Sequence, residues 1–86
     1  MPEPILAQSS EQKLRDIFAD VLHLPLSEIN DDVAYDQTKG WDSIAHMSLI
    51  AALDAGFEIM LDTDDVIDMS SFAKARSILR KYGVSI

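Results

Sequence analysis

The stretch Gly40-Trp41-Asp42-Ser43-Ile44-Ala45-His46-Met47-Ser48-Leu49-Ile50-Ala51-Ala52-Leu53-Asp54-Ala55-Gly56-Phe57 decides the fold. It opens on an acid and a serine, residues whose oxygens accept from the free N–H groups at the start of a helix. On a helical wheel Ile44, Met47, Leu49, Ile50, Ala51, Leu53 and Phe57 span more than half the circumference. That arc is too wide for a surface helix touching one neighbour. Either this is the central helix of the domain, or part of its apolar face is reserved for something that binds. Gly56 is expected to stop it.

Upstream, Ser9 or Ser10 can cap a first helix, and Gln12 stands three residues after Ser9, a capping-box spacing. Leu14, Ile17, Phe18, Val21 and Leu22 then follow the i, i+3, i+4, i+7, i+8 rule and make one apolar stripe. Pro25 is expected to end this helix, since it lacks an N–H and restricts Leu24 before it. From His23 to Trp41 neither helical nor strand periodicity is sustained, yet Leu26, Ile29, Val33 and Tyr35 recur as apolar anchors. Long loops in compact domains are pinned or functional, so this one should lie packed over the core.

Downstream, Asp62 or Thr63 can cap a short third helix ending near Ile67, and Ser70 or Ser71 a fourth closed by Gly83. In the fourth, Phe72, Ala75, Leu79 and Tyr82 share a face. Glu58 to Leu61 is too short and isolated for a strand. The expected fold is therefore all-α: a four-helix bundle with three longer helices, one short third helix, and a long loop between helices one and two. One domain is expected over 9–83, with a flexible arm at 1–8 and a tail at 84–86.

A chain of 86 residues has room for one compact core and little for a deep catalytic cleft. Net charge is −8, with all fifteen acids within residues 1–68 and four of the seven bases (Lys74, Arg76, Arg80, Lys81) in the last eighteen residues. An acidic body repels phosphate backbones, which argues against nucleic acid and for a partner with a basic patch. The bland reading, a solvated surface, covers most of these acids. Absence of cysteine removes disulfides and thiolate metal sites. The start, Met1-Pro2-Glu3-Pro4, resembles no secretory signal. The longest apolar run, Leu49 to Leu53, is far short of the ~20 residues that span a bilayer. The expectation is a cytoplasmic monomer with no membrane span.

Asp42-Ser43 by itself is a common helix start. Its setting raises its value, because a serine in the first turn keeps its hydroxyl exposed where free N–H groups and the helix dipole favour an anion. A phosphodiester on that oxygen would sit in a favourable field. A hydrolase built on Ser43, His46 and Asp42 is opposed by the flanking Trp41, Ile44 and Ala45, which lack the glycines of a strand-to-helix elbow. The acids Asp62-Thr63-Asp64-Asp65 fail as a calcium loop: Val66, Ile67 and Ala73 stand where ligands and glycine are required. His23 and His46 have no ligand spacing, so no metal is assigned. Met47, Met60 and Met69 suit either core filling or a cavity that changes shape with its contents.

From about Ser10 to Leu79 the chain resembles the acyl carrier proteins. The resemblance rests on the stripe Leu14-Ile17-Phe18-Leu22, the loop through Ile29-Asn30-Asp31 and Tyr35, the motif Gly40-Trp41-Asp42-Ser43-Ile44, then Leu49-Ile50, Leu53 and Phe57, and finally Ser70-Ser71-Phe72. It implies a non-catalytic carrier whose Ser43 receives phosphopantetheine from a transferase using coenzyme A and magnesium, with Asp42 aiding recognition. The arm's thiol would hold acyl groups as thioesters for loading and transferring enzymes, as in lipid and fatty acid biosynthesis. It also implies an acyl groove between the second and third helices, at Met47, Leu53, Leu61, Val66 and Met69. Partner recognition would fall on Ile44, Met47, Ala51 and Asp54.

Departures from the family pattern concern the partner surface. Ala45, Ser48 and Ala55 occupy commonly acidic positions, Lys39 stands where leucine is usual, and Trp41 is bulkier than typical. The expectation is a freestanding, specialised acyl carrier rather than the general fatty-acid one. The alternatives are an aminoacyl or peptidyl carrier, with the same arm, and an unmodified helical adaptor.

Overall fold

A computed structural model describes residues 9–86; the flexible arm expected at 1–8 lies outside the described residues. Four α-helices follow in order, α1 (Ser10–Leu22), α2 (Ser43–Phe57), α3 (Thr63–Asp68) and α4 (Phe72–Lys81), with one 3₁₀ turn at Leu26–Glu28 in the long first loop. Among the described residues there is no strand, only an isolated bridge between Ala34 and Ser71. The all-α, four-helix expectation holds. None of these helices is long and apolar enough to cross a membrane.

Each helix begins on a local side-chain cap. Ser9, Asp42, Asp62 and Ser71 accept from the backbone N–H three residues on, at Gln12, Ala45, Asp65 and Lys74. Such caps satisfy donors that the helix itself leaves open, each contributing about 1 kcal/mol. The Gln12 amide turns forward to Asp16 instead of closing a capping box.

Two of the expected stops are corrected. α1 ends at His23, which takes the left-handed conformation (φ 58°), two residues before Pro25. α2 runs through Gly56 and ends at Glu58, also left-handed (φ 55°). Gly56 serves close approach instead: a Cβ there would lie 3.0 Å from Ile17 Cδ1 of α1. Gly40, by contrast, is required twice over, by its φ of +91° and by Leu22 O, 2.8 Å from where its Cβ would stand.

The core lies between α1, α2 and α4. Leu14 and Phe18 of α1, Leu49 and Leu53 of α2, and Phe72, Ala75 and Leu79 of α4 are wholly buried. Phe18 meets Phe72 and Trp41 edge-on, at 5.0 and 5.3 Å between ring centroids. Each large side chain buried this way stabilises by about 1.5–3 kcal/mol. Trp41 therefore has a packing reason for its size, as the plug where the long loop enters α2.

Of the loop's four expected anchors, Ile29 and Val33 are buried; Leu26 and Tyr35 are exposed and do not anchor it. Backbone pairing takes over where they fail. Tyr35 N–H donates to Ser70 O and Phe72 N–H to Val33 O, both at 2.9 Å, which sews the loop to the start of α4. Arg76 of α4 completes the seam, donating to Glu11 on α1 and to Asp31 in the loop.

Candidate functional site

Ser43 is the first residue of α2 and its side chain is exposed. Asp42 accepts from the Ala45 N–H through its carboxylate at 2.9 Å and from the His46 N–H through its carbonyl at 2.8 Å. The cap is thus complete without Ser43, whose hydroxyl is left to solvent. An anion on that oxygen would meet the positive end of a fifteen-residue helix.

Beside Ser43 opens a cleft of about 320 Å³. Its walls are Met47 and His46 of α2, Val66 and Ile67 of α3, and Met69 beneath, with Tyr35, Ser43 and Ser70 around the mouth. The lining is chiefly apolar and contains no carboxylate, ammonium or guanidinium group. Apolar walls with a few polar groups at the rim are the usual make-up of a small-molecule site.

The residues expected to line an acyl groove fall into two sets. Met47, Val66 and Met69 come together at the cleft. Leu53 and Leu61 lie in the core and are absent from its walls. Of those expected to meet partners, Ile44 is 80% and Met47 63% exposed, and Ala51 continues the same open face. Across the cleft mouth Ile67, 76% exposed, extends this apolar surface onto α3. Asp54 is half-buried, and its carboxylate accepts from the Leu61 N–H at 3.0 Å, so it shapes the link to α3.

α3 has only six residues and could not hold together alone. Asp65, 3% exposed, turns away from the cleft and accepts from Lys81 and from the Tyr82 hydroxyl. The Lys81 and Tyr82 bonds hold its carboxyl below the usual carboxylate range, against the opposing effect of burial. Tyr82 also accepts from the Asp62 N–H, at 2.9 Å. α3 is thereby tied along its outer side to the end of α4.

Sequence analysis set His46 aside as a hydrolase base and as a metal ligand and gave it no partners. It lines the cleft while bonding to Trp41 on one side and to the Val66 carbonyl on the other. Trp41 five residues before it was a usable signal, since a buried indole N–H needs an acceptor. Val66, twenty residues away, left none. Tyr35, Ile67 and Ser70 were likewise missed as lining residues.

Among known families, a model described as phosphopantetheine attachment site matches residues 12–79, most of the chain. No curated protein matches.

Proposed function

The chain belongs to the phosphopantetheine attachment-site family, and from that premise we propose that it is an acyl carrier, modified on Ser43 and specialised for a dedicated biosynthetic pathway. The observation that carries the reading is the exposed Ser43 at the head of α2, standing at the mouth of an uncharged, apolar cleft.

The prosthetic group of this family is a covalently bound phosphopantetheine, and the local geometry suits it. The Ser43 hydroxyl is unburdened by capping, and the N-terminus of α2 favours the phosphodiester's negative charge. Once bound, the arm supplies the thiol that holds an acyl group as a thioester. The chain's own residues orient and shelter. Asp42 keeps the first turn of α2 rigid, while Met47, Val66 and Met69 offer apolar surface within reach of Ser43. A charged aminoacyl group would find no counter-charge on those walls. Sites of this kind act by carrying, and the enzymes that load and unload the thioester supply the catalysis.

The specialised reading rests on α2. Asp54 is its one acid, and that carboxylate is engaged by Leu61. Partners would therefore meet an apolar face of Ile44, Met47 and Ala51 rather than a charged one. Cytoplasmic location and a monomeric state complete the proposal.

Incubation with coenzyme A, magnesium and a broad-specificity phosphopantetheinyl transferase should add one phosphopantetheine mass to the wild type and none to Ser43→Ala. An unmodified wild type across several transferases would support the adaptor reading. A modified Ser43→Ala protein would move the attachment site.

A further inference from the structure

Trp41 Nε1 lies 3.0 Å from His46 Nδ1, and His46 Nε2 lies 2.8 Å from the carbonyl oxygen of Val66. An indole nitrogen can only donate, so Nδ1 must be the acceptor and bear no proton. The proton then sits on Nε2 and is donated to Val66. The two bonds together specify a neutral imidazole in one tautomer, held between the core and the last turn of α3. The planes of the Trp41 and His46 rings are nearly parallel (18°), and Tyr35 presses edge-on against both.

We infer that His46 is a pH-responsive positioning residue, which keeps α3 drawn in as the wall of the cleft only while its ring is neutral. Protonation makes both ring nitrogens donors. Nδ1–H would then face the Trp41 N–H, and the indole cannot retreat, because Trp41 is buried against Phe18. On the other side the bond to Val66 becomes charge-assisted and stronger, aided by the negative end of α3. The ring therefore leaves Trp41 rather than Val66, and draws the Val66–Ile67 turn with it between Asp65 and Met69, which stay buried. Val66 and Ile67 are in that last turn, so the cleft widens beside Ser43.

The charged groups around the ring are engaged with partners other than His46. Among the described residues no carboxylate pairs with His46. On α2 itself, Asp42 is occupied by the Ala45 N–H. On α3, Asp62 caps the helix, Asp65 is held by Lys81 and Tyr82, Asp68 pairs with Lys74, and Asp64 is exposed. From the loop the ring meets the Tyr35 ring, edge-on at 5.5 Å between centroids.

The test has two parts, and only the second rests on the acyl-carrier reading. First, NMR follows the unmodified protein from about pH 8 to about pH 5, across the range in which histidines titrate. The Trp41 indole N–H and the Ile67 amide should titrate with the His46 ring at one midpoint. In His46→Gln, whose amide oxygen can accept from Trp41 while its nitrogen donates to Val66, both signals should stay flat. Independent behaviour of Trp41 and Ile67 in the wild type, or an unchanged pH profile in His46→Gln, overturns the inference. Second, the protein carrying an octanoyl arm on Ser43 is cleaved with hydroxylamine at both ends of that range. The wild-type rate relative to His46→Gln should rise by about fivefold or more at the acid end. A flat ratio with the NMR coupling intact would leave the latch standing and remove the cleft as the cargo's shelter.

Discussion

Leu49 and Leu53 of α2 are wholly buried against α1 and α4, whereas Ile44 and Met47, on the same helix and as apolar, stand largely in water. The contrast continues across the cleft, where Ile67 is 76% exposed while its neighbour Val66 packs partly against the core. Folding accounts for the first face and cannot account for the second, because exposed apolar side chains contribute nothing to a core. A contiguous apolar surface left open is the usual mark of a binding region. The wide apolar arc of α2 thus combines two faces with different duties. One joins the bundle, and the other is the face that the proposed function assigns to cargo and partners.

That division can be broken most sharply at Phe18, the aromatic centre of the core. Phe18→Ala removes a ring that touches both Phe72 and Trp41 and should cost about 3–5 kcal/mol in chemical denaturation. Ile67→Ser, on the open side of the cleft, should change stability by no more than about 0.5 kcal/mol. Comparable losses in the two variants would mean that the exposed face is structural after all.

How much of this was legible depended on distance along the chain. The caps could be narrowed to Asp42 for α2 and to two neighbouring candidates for each other helix, because a side chain and the N–H it serves are three residues apart. The ends of α1 and α2 could not, since His23 and Glu58 adopt a left-handed conformation that sequence associates with glycine. Both residues are exposed, and the turns they make are closed by backbone bonds, from the Leu24 N–H to Ala19 O and from the Ile59 N–H to Asp54 O. Tyr35 looked like an anchor because an aromatic in a loop is usually buried; backbone pairing to Ser70 pins the loop instead, leaving the ring at the cleft. The motif at Asp42-Ser43 and the apolar α2 were plain. The six-residue α3 that completes the cleft is held by side chains from α2 and α4, and no local pattern announces those ties.

A second measurement sharpens the comparison by probing the seam that holds the folding side together. Arg76 bonds Glu11, 65 residues away, and Asp31, 45 residues away, while lying over the Phe72 ring. Its guanidinium holds the Glu11 carboxyl below the usual range, chiefly through the side-chain hydrogen bond. A carboxylate so depressed stabilises the fold above its unfolded-state pKa, and that contribution is lost as pH falls through the folded value. Arg76→Met should therefore be less stable than wild type by about 1–2 kcal/mol near neutrality, a figure lowered for the partial exposure of Glu11. The gap should narrow below about pH 4, where Glu11 in the unfolded chain takes up its proton. A constant gap across that range, measured by denaturant unfolding, would transfer the effect from charge to packing on Phe72.

The smallest structural effect is expected on the open face, where charge can be changed without touching the core. Ser48 and Ala55 are both exposed on α2, and the specialised reading holds that their lack of charge keeps away enzymes with basic docking patches. Ser48→Glu with Ala55→Glu should leave stability within about 0.5 kcal/mol of wild type, as surface changes usually do. Encounter with such enzymes should nonetheless quicken, because rim charges set association rate and partner choice more than affinity. The double variant and the wild type, both fully loaded with the arm, would be compared as substrates of general fatty-acid enzymes. Acylation of the variant should be faster at low salt, and the advantage should shrink as ionic strength rises and screening shortens the reach of the new carboxylates. A wild type that is already an efficient substrate would sink the specialised reading. A variant that gains nothing at low salt would shift partner choice from α2 charge to the apolar row of Ile44, Met47 and Ile67, which these substitutions leave in place.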